Sequence, residues 1–191
     1  MIDRSFFERD TLTVAKDLIG KCLVTVSPAG TASGIIVETE AYLGAIDDAA
    51  HSYKGKTERV AVQYGEKGLC YVYLIYGMYC CFNITTGPKG VPEVVLIRAL
   101  EPADGIELME RRRNTDKVLN LCSGPGKLCQ AMGIDRQLNG ADLCGRRIYL
   151  EDRGIKYNIE ASKRINIDYA TMCRDKLWRF TAAGSKYISR K

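Results

Sequence analysis

Glu38, Glu40 and Tyr42 occupy alternate positions at the end of the apolar run Ile35-Ile36-Val37. If that run is a strand, the three side chains project from one face. A carboxylate at such a strand end, beside aromatic rings, is either desolvated and raised in pKa or kept ionised by a nearby cation. Arg98 ends its own apolar run and is a suitable cation. A carboxylate–guanidinium pair of this kind can hold a water and take its proton, which makes Glu40 a candidate base. The same two residues can equally form an ordinary exposed salt bridge.

Four tyrosines follow. Tyr71 and Tyr73 share one face of an apolar stretch, Tyr76 sits beside Gly77, and Tyr79 lies on the return. Aromatic faces stack on nucleobases, and a large side chain on a hairpin tip can wedge between base pairs. Tyrosine is also simply a good strand residue. That explains Tyr71 and Tyr79 but not Tyr76, because tight turns prefer Gly, Asn or Asp. His51 is the only histidine, so a Ser-His-Asp or Cys-His hydrolase would have to use it. No G-x-S-x-G elbow accompanies it. Ser123-Gly124-Pro125-Gly126-Lys127 has the makings of a phosphate-binding helix start, without the G-x-x-x-x-G-K-[ST] of a P-loop.

The elements that must position these residues read as follows. Asp10 caps a helix that Gly20 ends. Lys21–Ser27 and Ser33–Ala41 are strands around the turn at Pro28-Ala29-Gly30. A long irregular segment, Leu43–Lys67, carries His51, and such loops are usually functional. Leu69–Ile75 and Met78–Ile84 form a hairpin around Tyr76-Gly77. A two-residue turn there places Asn83 opposite Cys70, on the face away from Tyr73. Glu93–Arg98 is the next strand. Asp104-Gly-Ile-Glu107 reads as a capping-box start for a helix through Arg113. A helix beginning at Ser123-Gly-Pro125 ends at Gly133. Short strands at Arg147–Leu150, Arg164–Asp168 and Trp178–Thr181 follow, with a short helix near Tyr169–Asp175. Strand and helix are mixed without βαβ alternation. The expected fold is therefore α+β: one domain over residues 1–191, with a curved, mostly antiparallel sheet, surrounding helices and a protruding hairpin.

Composition narrows the classes. A chain of 191 residues with 46% hydrophobic and 27% charged residues can bury a full core. The net charge is +5, from 28 Lys+Arg and 23 Asp+Glu. Residues 145–191 alone hold 12 basic and 5 acidic residues, net +7, which suits a polyanion partner as well as a solvated basic tail. Eight cysteines without a C-x-x-C pair, and a single histidine, argue against zinc. The start, Met1-Ile2-Asp3-Arg4, has no signal-peptide pattern, so the thiols are expected reduced in the cytoplasm. The uncharged stretch Leu69–Pro88 is too polar for a membrane span.

Four long motifs then converge. Val37-Glu-Thr-Glu-Ala-Tyr-Leu-Gly44 with Ala50-His51-Ser52, Tyr71-Val-Tyr-Leu-Ile-Tyr-Gly-Met-Tyr79 with Asn83-Ile84, Leu96-Ile-Arg-Ala-Leu-Glu-Pro102, and Cys122-Ser-Gly-Pro-Gly-Lys-Leu-Cys-Gln-Ala131 resemble the alkyladenine (3-methyladenine) DNA glycosylases. The match runs in order along nearly the whole chain. It implies a monomeric base-excision-repair enzyme that takes double-stranded DNA. A damaged purine nucleotide is flipped into a pocket and its N-glycosidic bond is hydrolysed, with no metal, cofactor or covalent lysine intermediate. The resemblance assigns Glu40 as general base and Arg98 as its partner. It makes Tyr42, His51, Tyr73 and Asn83 the base pocket, and Tyr76 with Met78 the intercalating tip. It points to Arg59, Lys127 and Ser185 on the DNA backbone, and to a backbone carbonyl near Ala182. Glu38 is left as a structural partner. The chain departs from the family at Thr57-Glu58-Arg59-Val60, where Thr-Pro-Arg-Asn is usual, and at Ala183-Gly-Ser-Lys186, where Arg-Gly-Ser-Pro is. A non-catalytic binder of damaged DNA on the same scaffold, or an RNA-binding module, are the competing readings.

Overall fold

The computed structural model describes residues 1–190. Its centre is an eight-stranded, wholly antiparallel sheet. The strands are β1 (Cys22–Ser27), β2 (Gly30–Tyr42), β3 (Cys70–Ile75), β4 (Tyr79–Thr86), β5 (Glu93–Pro102), β6 (Ile148–Glu151), β7 (Ile159–Ser162) and β8 (Arg179–Ala182). They run in the order β3-β4-β5-β2-β1-β6, with β8 pairing β2 and β7 pairing β8. Helices α1 (Thr11–Asp17), α2 (Ile106–Arg113) and α3 (Pro125–Met132) surround the sheet, with short 3-10 turns between them. The expected α+β class holds.

The spine is β2. Its first half pairs with β1 through Ile35 and its second half with β8 from Glu38 to Glu40, so one edge serves two strands in succession. The other edge pairs with β5, with register shifts on either side of Glu38 that leave Val37 and Arg98 outside the regular ladder. Such irregularities bend a strand and re-aim side chains. Every residue of β2 from Ala32 to Ala41 is buried. The main core joins α1 (Val14, Leu18), β2 (Ile36), β4 (Phe82, Ile84) and α3 (Leu128, Met132). Full burial of each such side chain contributes about 1.5–3 kcal/mol.

Local signals explain the helices. Asp10 accepts from Thr13 N at 2.8 Å and caps α1, a contact that stabilises by about 1 kcal/mol. Gly133, at φ 69°, closes α3. The expected capping box at α2 does not form. Gly105 stands at the cap with φ 75°, where a Cβ would collide with the Thr31 carbonyl oxygen. Asp104 turns away to Ser33 Oγ at 2.6 Å and Arg153 Nη2 at 2.9 Å. Residues 164–168 are not a strand, and 169–175 are not a helix. The N–H groups of Thr171, Met172 and Cys173 bond the Asp48 carboxylate at 2.5, 2.8 and 2.9 Å, and donors bound there cannot build a helix. Strand β7 carried no apolar signal, because Ile159 and Glu160 lie exposed on the sheet edge. Among the described residues, no helix is long and apolar enough to cross a membrane.

Candidate active site

The buried end of β2 meets β5, β8 and the chain's last residues at a charge cluster. Glu38 and Glu40 are both fully buried. Arg98 reaches across from β5, with Nε 3.1 Å from Glu38 Oε1 and Nη1 3.2 Å from Glu40 Oε2. Arg179 of β8 adds a bond from Nε to Glu38 Oε1 at 2.8 Å. Burial works against the charge on Arg98, but Glu40 and Glu38 outweigh it and hold its pKa above the ordinary value. Glu40 also accepts from Ile165 N at 2.7 Å and from the Tyr42 hydroxyl at 2.9 Å. The pair is thus neither exposed nor isolated.

Beside this cluster lies a small cavity of about 40 Å³, lined by Tyr42, His51, Gln63, Tyr71, Tyr73 and Asn83 among others. The His51 ring stands edge-on to Tyr73, with centroids 4.6 Å apart and planes at 75°. Its Nδ1 is 3.1 Å from the Tyr71 hydroxyl. Although one side of His51 remains open to solvent, burial among these rings, aided by nearby Arg59, lowers its pKa to about 4. The ring is neutral at pH 7. Burial, and then the charge of Glu40, push the Tyr42 hydroxyl well above the usual range. The Arg164 guanidinium lies over the Tyr42 ring, 4.6 Å from its centroid. It is anchored on Asp47 by bonds of 2.5 and 2.8 Å. The cavity is therefore aromatic, mostly neutral and rigidly backed.

The hairpin required no bulge to bring Asn83 and Tyr73 together. The loop has three residues, Tyr76, Gly77 and Met78, so Ile75 pairs with Tyr79, Tyr73 with Cys81 and Tyr71 with Asn83. The odd loop length moves Asn83 onto the face of Tyr71 and Tyr73 and overturns the two-residue register. Asn83 Nδ2 donates to the Tyr71 carbonyl at 3.1 Å. The base of the hairpin is buried and its tip protrudes: Tyr76 is 79% and Met78 68% exposed. Tyr76 is held at φ 53°. A groove of about 380 Å³ runs past Tyr76, Arg98, Pro125 and Asn166, and shares Tyr42, His51, Tyr73 and Tyr169 with the cavity.

Other candidates sit apart from this cleft or are otherwise engaged. Arg59 lies over the Tyr73 ring, 5.1 Å from its centroid, at the rim of the groove. Lys127 Nζ donates to Asn120 Oδ1 and, at 3.5 Å, to Ser123 Oγ. Ser185 lines a different groove with Arg179 and Lys186. Ala182 extends β8 beyond the Thr181–Glu38 pair, and the backbone group that meets Glu40 is that of Ile165. The basic last quarter is partly turned inward, since Arg164 and Arg179 are buried in ion pairs. Sequence reasoning missed Gln63, Arg164, Ile165 and Tyr169. All four come from loops or short turns with no periodicity to mark them. Asp47, Asp48 and Cys173 bring potential metal-ligand atoms within 4.8 Å of one another. However, Asp47 is bonded to Arg164 and Asp48 to three backbone N–H groups, so the protein's own donors already occupy those oxygens.

With this geometry in view, comparison with known proteins is decisive. A family model described as methylpurine-DNA glycosylase matches residues 5–186. The chain belongs to the methylpurine-DNA glycosylase family. Similar proteins include one from Desulfitobacterium hafniense (strain Y51), 48% identical, with all of this chain and 98% of the relative covered. Another, from Alkaliphilus oremlandii (strain OhILAs), is 50% identical over all of this chain and 99% of its own length. A third, from Methanocella arvoryzae, is 48% identical over all of this chain and 96% of its own. Each carries the name "Putative 3-methyladenine DNA glycosylase". Membership makes the protein a DNA glycosylase for methylated purines, and its cleft is the place to look for the chemistry.

Proposed function

We propose that this glycosylase extrudes a methylated purine nucleotide, 3-methyladenine above all, from duplex DNA and hydrolyses its N-glycosidic bond with a water held at Glu40. One observation carries the reading. A carboxylate offers about four lone-pair sites, and Glu40 uses three of them, on Ile165 N, Tyr42 Oη and Arg98 Nη1. The open site is on Oε1, and the three groups that hold Glu40, on Tyr42, Arg98 and Ile165, all line the groove that shares four residues with the aromatic cavity. A water there donates its proton to Glu40 while its oxygen bonds to the sugar C1′. The C1′–N bond breaks and its electron pair neutralises the cationic alkylated purine. Glu40 also stabilises the oxocarbenium-like charge that builds on the sugar. Arg98, held by Glu38, fixes Glu40 in place.

The cavity suits a cationic purine, since flat electron-rich rings attract cations. Tyr42 and Tyr73 stack on the base, with His51 and Asn83 at its edges. Tyr76, flanked by Met78, fills the gap left in the duplex. Arg59 contacts the DNA backbone after leaving Tyr73, and Lys127 and Ser185 lie along the flanking strand. Among the described residues, no lysine lines the cavity or the groove, which favours hydrolysis without a Schiff base. The test is release of free 3-methyladenine from methylated duplex DNA in the presence of a chelator. The product strand should stay intact and should not be trapped on the protein by borohydride. Tight binding to abasic-site DNA with no base release from any alkylated duplex would instead identify a non-catalytic binder.

A further inference from the structure

One residue in the wall of the cavity carries a buried polar atom that no described residue satisfies. Gln63 is 1% exposed, lines the cavity beside Tyr71 and Asn83, and its Oε1 has no hydrogen-bond partner. The one other such atom among the described residues, Arg164 Nε, belongs to a guanidinium whose remaining nitrogens are well bonded. An unpaired buried amide oxygen is destabilising and rare, and so calls for a reason.

Gln63 is not held loosely. It lies in the last turn of a 3-10 stretch, Glu58–Tyr64, and its backbone carbonyl accepts from the buried Lys67 Nζ at 3.0 Å. The same Nζ donates to Val91 O at 2.5 Å, which staples the stretch to the segment before β5. Val60 of that stretch packs on Tyr71 and Val94. The neighbouring polar groups are already engaged: Asn83 Nδ2 on the Tyr71 carbonyl, and the Tyr71 hydroxyl with His51. An unpaired acceptor is thus carried by a residue in the wall of the small cavity that adjoins the groove.

We propose that Gln63 is a specificity-determining residue. Its Oε1 accepts a hydrogen bond from the exocyclic amino group of the extruded base, and the enzyme thereby favours adenine-type lesions over guanine-type ones. The assignment rests on the proposed extrusion of a base into this cavity. An adenine lesion brings an N–H donor at its six-position and pairs the orphan oxygen. A guanine lesion brings a carbonyl oxygen there, so two acceptors face each other and the buried oxygen stays unpaired, the arrangement that discriminates most strongly between similar ligands.

The experiment uses one methylated duplex that contains both 3-methyladenine and 7-methylguanine, and compares the wild-type protein with Gln63→Met, which keeps length and flexibility but removes the amide. The ratio of kcat/KM for 3-methyladenine to that for 7-methylguanine is expected to fall about tenfold, the effect of one lost hydrogen bond. The variant is also expected to melt about 2–4 °C higher, because an unpaired buried oxygen has gone. An unchanged ratio in a folded Gln63→Met overturns the assignment and leaves the proposed function standing. A fall in Tm also overturns it, since it shows that the amide serves the fold. Wild-type protein that releases neither base overturns the proposed function, and this assignment with it.

Discussion

Glu38 and Glu40 lie two residues apart on one strand face, share Arg98 and are both fully buried. Their surroundings differ. Glu38 accepts four hydrogen bonds, from Arg98 Nε, Arg179 Nε, and the N and Oγ of Ser189. Glu40 accepts three and borders the groove through Tyr42 and Ile165. A carboxylate crowded by donors from β5, β8 and the segment around Ser189, three on Oε1 and one on Oε2, ties elements together, whereas one whose partners line a cleft and whose Oε1 takes a single donor can receive a water. The buried pair is thus one device with a fixed end and a working end, and Arg98 passes the rigidity of the first to the second.

The comparison is sharpened first by Glu40→Gln. Base release in single-turnover assays should fall about 10²–10⁴-fold, the usual contribution of a general base, while Tm changes by a few degrees at most. Undiminished release would end the catalytic assignment. Glu38→Ala should show the opposite balance. It takes from the buried Arg179 its carboxylate and leaves Arg98 with Glu40 alone, and breaking a buried pair costs about 3–5 kcal/mol, to be read from urea unfolding. A cost below about 1 kcal/mol would mean that Glu38 ties nothing. Tyr76→Ser probes a region outside the pair. Affinity for lesion-bearing duplex should weaken by about 1–3 kcal/mol, the worth of one aromatic stack, with stability unchanged. Equal affinity would refute the wedge.

The smallest expected effect concerns His51. Its folded pKa, about 4, lies below the ordinary 6.5, so the unfolded chain takes up the proton first as the pH falls. The contribution of this residue to stability is full above pH 6.5 and declines between 6.5 and about 4. His51→Gln should flatten the pH dependence of stability in that window. An NMR titration placing the imidazole near 6.5 would contradict the enclosure described for it.

Much of this was legible in the chain. Alternation placed Glu38, Glu40 and Tyr42 on one face, and Asp10 and Gly133 marked real helix ends, whereas α1 stops at Asp17 and a turn separates it from Gly20, whose N–H goes to Ile36 O. What stayed hidden has physical causes. Hairpin register depends on loop length, and one added loop residue moved Asn83 to the other face. The segment 164–175 looked regular because its residue types suit regular structure. Its backbone donors and Arg164, however, are committed to Asp47 and Asp48, more than a hundred residues earlier. Gln63 had no pattern to betray it, since its meaning lies in a missing partner. A cap at Asp104 was plausible until Ser33 and Arg153 competed for the carboxylate.

The hairpin tip has a consequence for anyone who would improve the protein. Tyr76 sits in the left-handed region at φ 53°, a conformation that asparagine or glycine adopts more readily. Its ring, 79% exposed, gains little from the rest of the chain. Selection for heat tolerance alone would therefore drift towards Asn-Gly at Tyr76-Gly77, and the sturdier molecule would have lost the ring proposed as its wedge. A thermostabilising library for this enzyme should hold that position constant.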